Sequence, residues 1–220
     1  MSGLFDIIKA YFGAPILPPA SAPPELRAPL PEAIPAAPSP IGPLTRLFRV
    51  AEIVPARLQE VGHVGSTLLA HRAVYEAVGL GVPWYVVGVI HYREASGSFS
   101  RHLHNGDPLS ARTVHVPSGR PEHGNPPFTW LDSARDALSF DKLANLPSWT
   151  LEETLDRLER YNGLGYRNKK LPSPYLWGAT TVQQSGKYTS DGTFVWDQMD
   201  KQVGCAAIIK WLEAEGHVKL

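Results

Sequence analysis

The stretch from Pro83 to Glu94 holds Trp84, Tyr85, Val86, Val87, Val89, Ile90 and Tyr92, apolar residues on every side of a helical wheel. Such a helix has no face for water, so other elements must cover it all round. It therefore becomes the centre of whatever the chain folds into. Pro83 suits the first turn of this helix, where its missing N–H would go unpaired anyway. At the far end Glu94 leaves the helix just before Ser96 and Gly97, which read as a turn. A carboxyl delivered to the end of an apolar helix ionises reluctantly. An acid held protonated near neutral pH is what general-acid chemistry needs.

The other elements follow from periodicity and caps. Leu58, Val61, Leu68, Leu69, Val74 and Val78 suit an interrupted helix over 57–78. Residues 100–127 are dominated by turn formers, and read as a loop with a small hairpin. Thr129, with Asp132 three residues on, opens a helix to about Phe140, and Thr150 opens another to about Tyr161. Residues 162–192 read as irregular and aromatic. A last helix is expected over Asp197–Glu215, with Met199, Val203, Ala206, Ile209 and Leu212 inward. The expected fold is α+β, mainly α, with a small β-hairpin or loop lobe in the domain 45–220.

The first part of the chain has another character. Residues 14–44 hold eleven of the 21 prolines, mixed with Ala and Ser. That composition makes a semi-rigid linker of polyproline type, with no core of its own. Residues 1–13 place Leu4, Phe5, Ile8 and Phe12 on one side of a short amphipathic segment, which suits docking to a partner. The N-terminus lacks the pattern of a standard signal peptide. Net charge is zero, so nothing in bulk electrostatics favours nucleic acid. No apolar run is long enough for a transmembrane segment. Cys205 is the single cysteine, which excludes an internal disulfide and a multi-cysteine zinc site.

Two segments together resemble the lysozyme superfamily. The first is Gly79-Leu80-Gly81-Val82-Pro83, the apolar helix, and then Arg93-Glu94-Ala95-Ser96-Gly97-Ser98-Phe99. The second is Glu159-Arg160-Tyr161-Asn162-Gly163-Leu164-Gly165. In goose-type lysozymes and soluble lytic transglycosylases, an apolar helix ends in Glu followed by Ser. A helix-terminal Tyr-Asn-Gly segment lines the sugar cleft downstream. The resemblance covers roughly residues 70–185. It implies a lysozyme-like domain that cleaves the glycan strands of peptidoglycan between N-acetylmuramic acid and N-acetylglucosamine. It implies action at the bacterial cell wall, with Glu94 as general acid, Tyr161 and Asn162 against substrate, and no cofactor. The alternatives are a lytic transglycosylase and a non-catalytic wall-binding module.

The transglycosylase pattern has a Gly-Leu-Met-Gln segment between the two motifs, and this chain lacks it. His102-Leu103-His104-Asn105-Gly106-Asp107-Pro108-Leu109 stands in its place. The layout is similar to that of phage-type lysozymes, where a second carboxylate comes from the adjacent hairpin. Asp107 is thus the expected base or electrostatic partner, kept charged by a polar turn while Glu94 stays protonated. Its ordinary alternative is a turn residue before proline. Thr113 is a candidate for positioning the attacking water. His104 and Asn105 are candidates for binding sugar hydroxyls or bracing the hairpin, and Tyr175 for stacking on sugar. Trp177 divides evenly between cleft and core. His91, His102, His104, His115 and His123 raise a zinc site and an amidase as a further alternative, but no His-Glu-x-x-His pattern is present and no metal site is expected.

Overall fold

A computed structural model of the chain describes residues 41–190 and 193–220. The amphipathic segment 1–13 and the linker as far as residue 40 lie outside the described residues. The first described helix, α1 (Pro43–Val50), starts on a proline and buries Leu44, Leu47 and Phe48. Its free N-terminal donors need partners. The Glu152 carboxylate supplies them, accepting the N–H groups of Leu44 at 3.2 Å and Thr45 at 2.7 Å.

The interrupted helix expected over 57–78 is α2 (Leu58–Ala70) followed by α3 (Arg72–Glu76). Gly79, Leu80 and Gly81 then turn the chain at positive φ. Helix α4 (Trp84–Ala95) follows, with Pro83 as its N-cap. Every residue from Trp84 to His91 is buried, as its composition demands. Four more helices come before the last one. They are α5 (Trp130–Phe140), α6 (Leu151–Tyr161) and the single turns α7 (Gly165–Asn168) and α8 (Pro174–Trp177). The last is α9 (Cys205–Ala214). Around α4 pack α2, α3, α6 and α9. Gly88 permits the close approach: a Cβ there would stand 3.2 Å from the Tyr75 ring and 3.3 Å from Leu68. Trp177 is buried in this core.

Local chemistry sets the starts of α5 and α6. The Thr129 hydroxyl accepts the Asp132 N–H at 3.1 Å. Thr150 and Glu153 form a full capping box, each side chain bonding the other's backbone N–H. Further along, Arg167 pairs with Glu159 and Asp156 and ties α7 back to α6.

Two expectations are corrected. Residues 100–127 form turns rather than a hairpin, with a single bridge between Arg101 and Pro108. Pro108, Pro117, Pro121, Pro126 and Pro127 remove the donors that a ladder would use. The antiparallel hairpin lies instead at β1 (Lys187–Ser190) and β2 (Thr193–Val195). The last helix begins eight residues later than expected. Gly204 packs backbone to backbone on Gly178 and donates its N–H to the Gly178 carbonyl at 2.9 Å, which holds residues 197–204 out of the helix. Met199, expected inward, is accordingly 50% exposed. The described residues are mainly helical with this one two-stranded sheet. No helix among them is long and apolar enough to cross a membrane.

Candidate active site

Glu94 occupies the last turn of α4. Beyond it Ser96 takes φ +51° and Gly97 φ +74°, and their N–H groups return to the Tyr92 and His91 carbonyls. A left-handed serine is uncommon; here it turns the chain sharply away just after the acid. The Glu94 carboxyl is pushed up to about 7. Burial is the main cause, and the negative charge of Asp141 adds to it. Tyr175 and the Arg93 guanidinium pull in the opposite direction. The C-terminal end of a helix also disfavours a negative charge. The apolar helix thus does to its acid what its sequence predicts.

Tyr175 is buried, and its Oη has no hydrogen-bond partner among the described residues. It is near enough to Glu94 to lower the acid's pKa, while falling short of hydrogen-bond geometry. Tyr161, at the end of α6, donates its hydroxyl to the Leu103 carbonyl at 3.0 Å and feels the Glu94 charge. The guanidinium of Arg93 lies 4.7 Å over the Tyr175 ring and 3.5 Å from the Asp200 carboxylate.

The neighbours of Glu94, though not Glu94 itself, front two clefts. The larger, about 480 Å³, is lined by Arg93, Asn162, Tyr166, Tyr175, Tyr188 and Asp200, among others. The smaller, about 230 Å³, includes Asp141, Lys142, Arg157, Arg160 and Tyr161. The consecutive residues Tyr161 and Asn162 face one cleft each. The fold therefore gathers Glu94, Tyr161, Asn162 and Tyr175, which come from three separate stretches of sequence.

The other expected site residues belong to a loop that binds itself. Asp107, the expected base or electrostatic partner of Glu94, stays charged as expected, and its carboxylate is engaged within its own loop. Its Oδ2 accepts the N–H groups of Val114 at 2.8 Å and His115 at 3.0 Å, and its Oδ1 meets His115 Nδ1 at 2.6 Å. Burial works against its charge, but these bonds prevail and hold its pKa down at about 2. The charges that act on Glu94 come from Arg93 and Asp141 instead. Asn105 bonds the His115 and Val116 carbonyls and accepts the Asp107 N–H. Thr113 donates to the Pro117 carbonyl at 2.6 Å and accepts the Arg120 N–H at 2.9 Å. Both thus brace the turn that carries Asp107. His104 is buried against Asp136, which Arg120 grips from the other side.

His102 and His91 are similarly engaged. His102 donates from Nε2 to the Ala111 carbonyl and accepts the Ser133 hydroxyl at Nδ1. His91 meets the Tyr75 hydroxyl at 3.1 Å, and burial lowers its pKa to about 4. Among the described residues no group of three His, Cys, Asp or Glu side chains is placed to hold a metal ion.

Sequence reasoning missed Asp141 and the Arg93–Asp200 pair. Asp141 follows an ordinary helix end and is exposed to solvent, and its charge bears on Glu94. Arg93 adjoins Glu94, and that adjacency was the one available signal. No family model matches this chain, and no curated protein or solved structure matches it either.

Proposed function

We propose that this chain cleaves the glycan backbone of peptidoglycan at the bacterial cell wall, with Glu94 as general acid. The observation that carries the reading is the setting of Glu94: an acid at the end of a buried apolar helix, raised to about 7, whose neighbours Arg93, Tyr175 and Tyr161 line two clefts. In the reaction Glu94 gives its proton to the glycosidic oxygen as the bond to the anomeric carbon breaks. The departing sugar leaves as an alcohol and positive charge develops on the retained ring. Water then attacks the anomeric carbon, and the ionised Glu94 takes the proton that water loses. Tyr161 and Asn162 contact the strand from the walls of the two clefts.

The engagement of Asp107 favours a second reading in the same class. With that carboxylate committed to its loop, Glu94 acts as the sole acid and base. A single group of this kind suits lytic transglycosylation, in which the ring's own C6 hydroxyl attacks C1, gives its proton to Glu94 and closes an anhydro sugar.

Turbidity loss of a cell-wall suspension tests the proposal. Wild type clears the suspension and Glu94→Gln does not, with both folded by circular dichroism. Retained clearing by Glu94→Gln overturns the assignment. Product masses separate a hydrolysed end from an anhydro end. Wall pelleting without clearing by wild type identifies a binding module instead.

A further inference from the structure

The hairpin beside the larger cleft carries rings that the site above does not use. Tyr166, Tyr188, Phe194 and Trp196 form a continuous edge-to-face ladder, with centroid separations of 5.2, 4.9 and 4.9 Å along it. Lys169 Nζ caps one side, 4.8 Å over Phe194 and 5.7 Å over Trp196. Tyr188 belongs to two structures at once. Its ring meets Phe194 in the ladder, and the residue also lines the cleft with Tyr166 and Thr189. Trp196 ends the ladder and remains 61% exposed. A large indole held in place by its neighbours and left open to water gains free energy when a flat apolar surface covers it.

We propose that this ladder and the adjoining cleft form a saccharide-binding surface, with Trp196 as its outer stacking platform. This deepens the glycan-cleaving reading and rests on it. The chemistry of the lining selects the ligand. Beside the rings stand the Asn162 amide, the Thr189 hydroxyl and the buried Tyr175 Oη, while the Asp200 carboxylate is already paired with Arg93. An apolar peptide would leave those polar groups unpaired at a cost. A sugar brings both an apolar ring face for Trp196 and hydroxyls for the polar wall. The ladder holds the strand away from Glu94, so it contributes binding rather than proton transfer.

The test uses the full chain carrying Glu94→Gln, titrated with chitotetraose and read by tryptophan fluorescence and calorimetry. Binding is expected, with a fluorescence change that disappears in the Trp196→Ala variant. That variant loses affinity about tenfold, and Trp196→Tyr, which keeps a ring, stays within about threefold of the parent. Equal affinity in the Trp196→Ala variant overturns the proposal, as does no binding by the parent. Loss of affinity in Trp196→Tyr equal to that in Trp196→Ala also overturns it, because a stacking platform tolerates a second ring. The two readings fail separately. A wild type that clears walls while Trp196→Ala binds normally defeats the ladder alone. Binding through Trp196 with no cleavage by wild type defeats the enzyme and leaves the ladder standing.

Discussion

The carbonyl oxygen of Glu94 lies directly against Gly106: a Cβ built on that glycine would stand 2.5 Å from it. This contact seats the 102–109 turn on the end of α4. The loop and the turn that bears the acid therefore share one backbone seam. Gly106 also has φ +77°, a conformation that costs an L-residue roughly 1–2 kcal/mol. In Gly106→Ala that strain adds to a clash with backbone, which cannot swing aside as a side chain could. Gly106→Ala is expected to lose at least about 2 kcal/mol, read as a lower urea midpoint at unchanged slope. A loss below about 0.5 kcal/mol, the range of ordinary surface changes, would show that the loop is not seated on the helix.

The raised pKa of Glu94 has a signature in stability as well as in rate. Unfolded, the group titrates near its ordinary 4.5; folded, it titrates at about 7. Between those values the native state keeps a proton that the unfolded chain has released. Stability therefore falls as pH rises through this window, and the loss is complete above it. Glu94→Gln removes the ionisation and with it the loss. The variant is expected to have a higher Tm than wild type at pH 8 and to converge with it at pH 4. Wild-type activity should fall as pH rises through about 7, where the acid form disappears. A variant less stable than wild type at pH 8 would show that the carboxylate is solvated.

The sequence made legible whatever is decided locally. Thr129 and Thr150 mark their helix starts because the cap and its partner lie three residues apart. The burial of α4 follows from its composition alone. What escaped is decided by distant parts of the chain. The β1–β2 hairpin forms where Tyr188 packs on Tyr166, 22 residues earlier, and its N–H reaches that tyrosine's hydroxyl at 3.2 Å. The late start of α9 depends on the meeting of Gly178 and Gly204. The same division runs through the site. Glu94, Tyr161 and Asn162 sit on or beside helices that periodicity or resemblance could place, whereas Tyr175 lies on a single turn within a stretch that reads as irregular. The use of Asp107 depended on how residues 113–117 fold back, and a stretch so rich in proline gives no period to read.

Asp107 therefore separates a structural role from a chemical one. Its three bonds close the loop, and they favour the charged form. With a folded pKa of about 2 against an ordinary 3.8, the unfolded chain binds the proton more readily between those values. The contribution is present above pH 3.8 and is lost as pH falls through about 2. Asp107→Asn is expected to cost about 1–3 kcal/mol near pH 7, with the gap to wild type narrowing toward pH 2. Wall clearing per folded molecule at 25 °C should stay within about threefold. A hundredfold loss, equivalent to about 2.7 kcal/mol of barrier, in a protein folded to the same extent would return Asp107 to the reaction.

Tyr175 makes the opposite kind of test, because its hydroxyl acts on the acid's titration. The group lowers the Glu94 pKa from its place in the cleft wall. Removing it in Tyr175→Phe leaves the carboxylate with burial and the Asp141 charge, so Glu94 should hold its proton to higher pH. The alkaline limb of kcat/KM, which reports the free enzyme's acid, is expected to move upward. The ring stays under the Arg93 guanidinium. Below about pH 6, where the folded state keeps Glu94 protonated with or without the hydroxyl, stability should hold; above about pH 7 it should fall slightly, because a Glu94 pKa raised further costs the native state more there. That combination distinguishes a hydroxyl acting on the acid from one that holds the fold together. A structural hydroxyl would lower Tm and leave the limb in place, and an unmoved limb at unchanged Tm would remove Tyr175 from the electrostatics of Glu94.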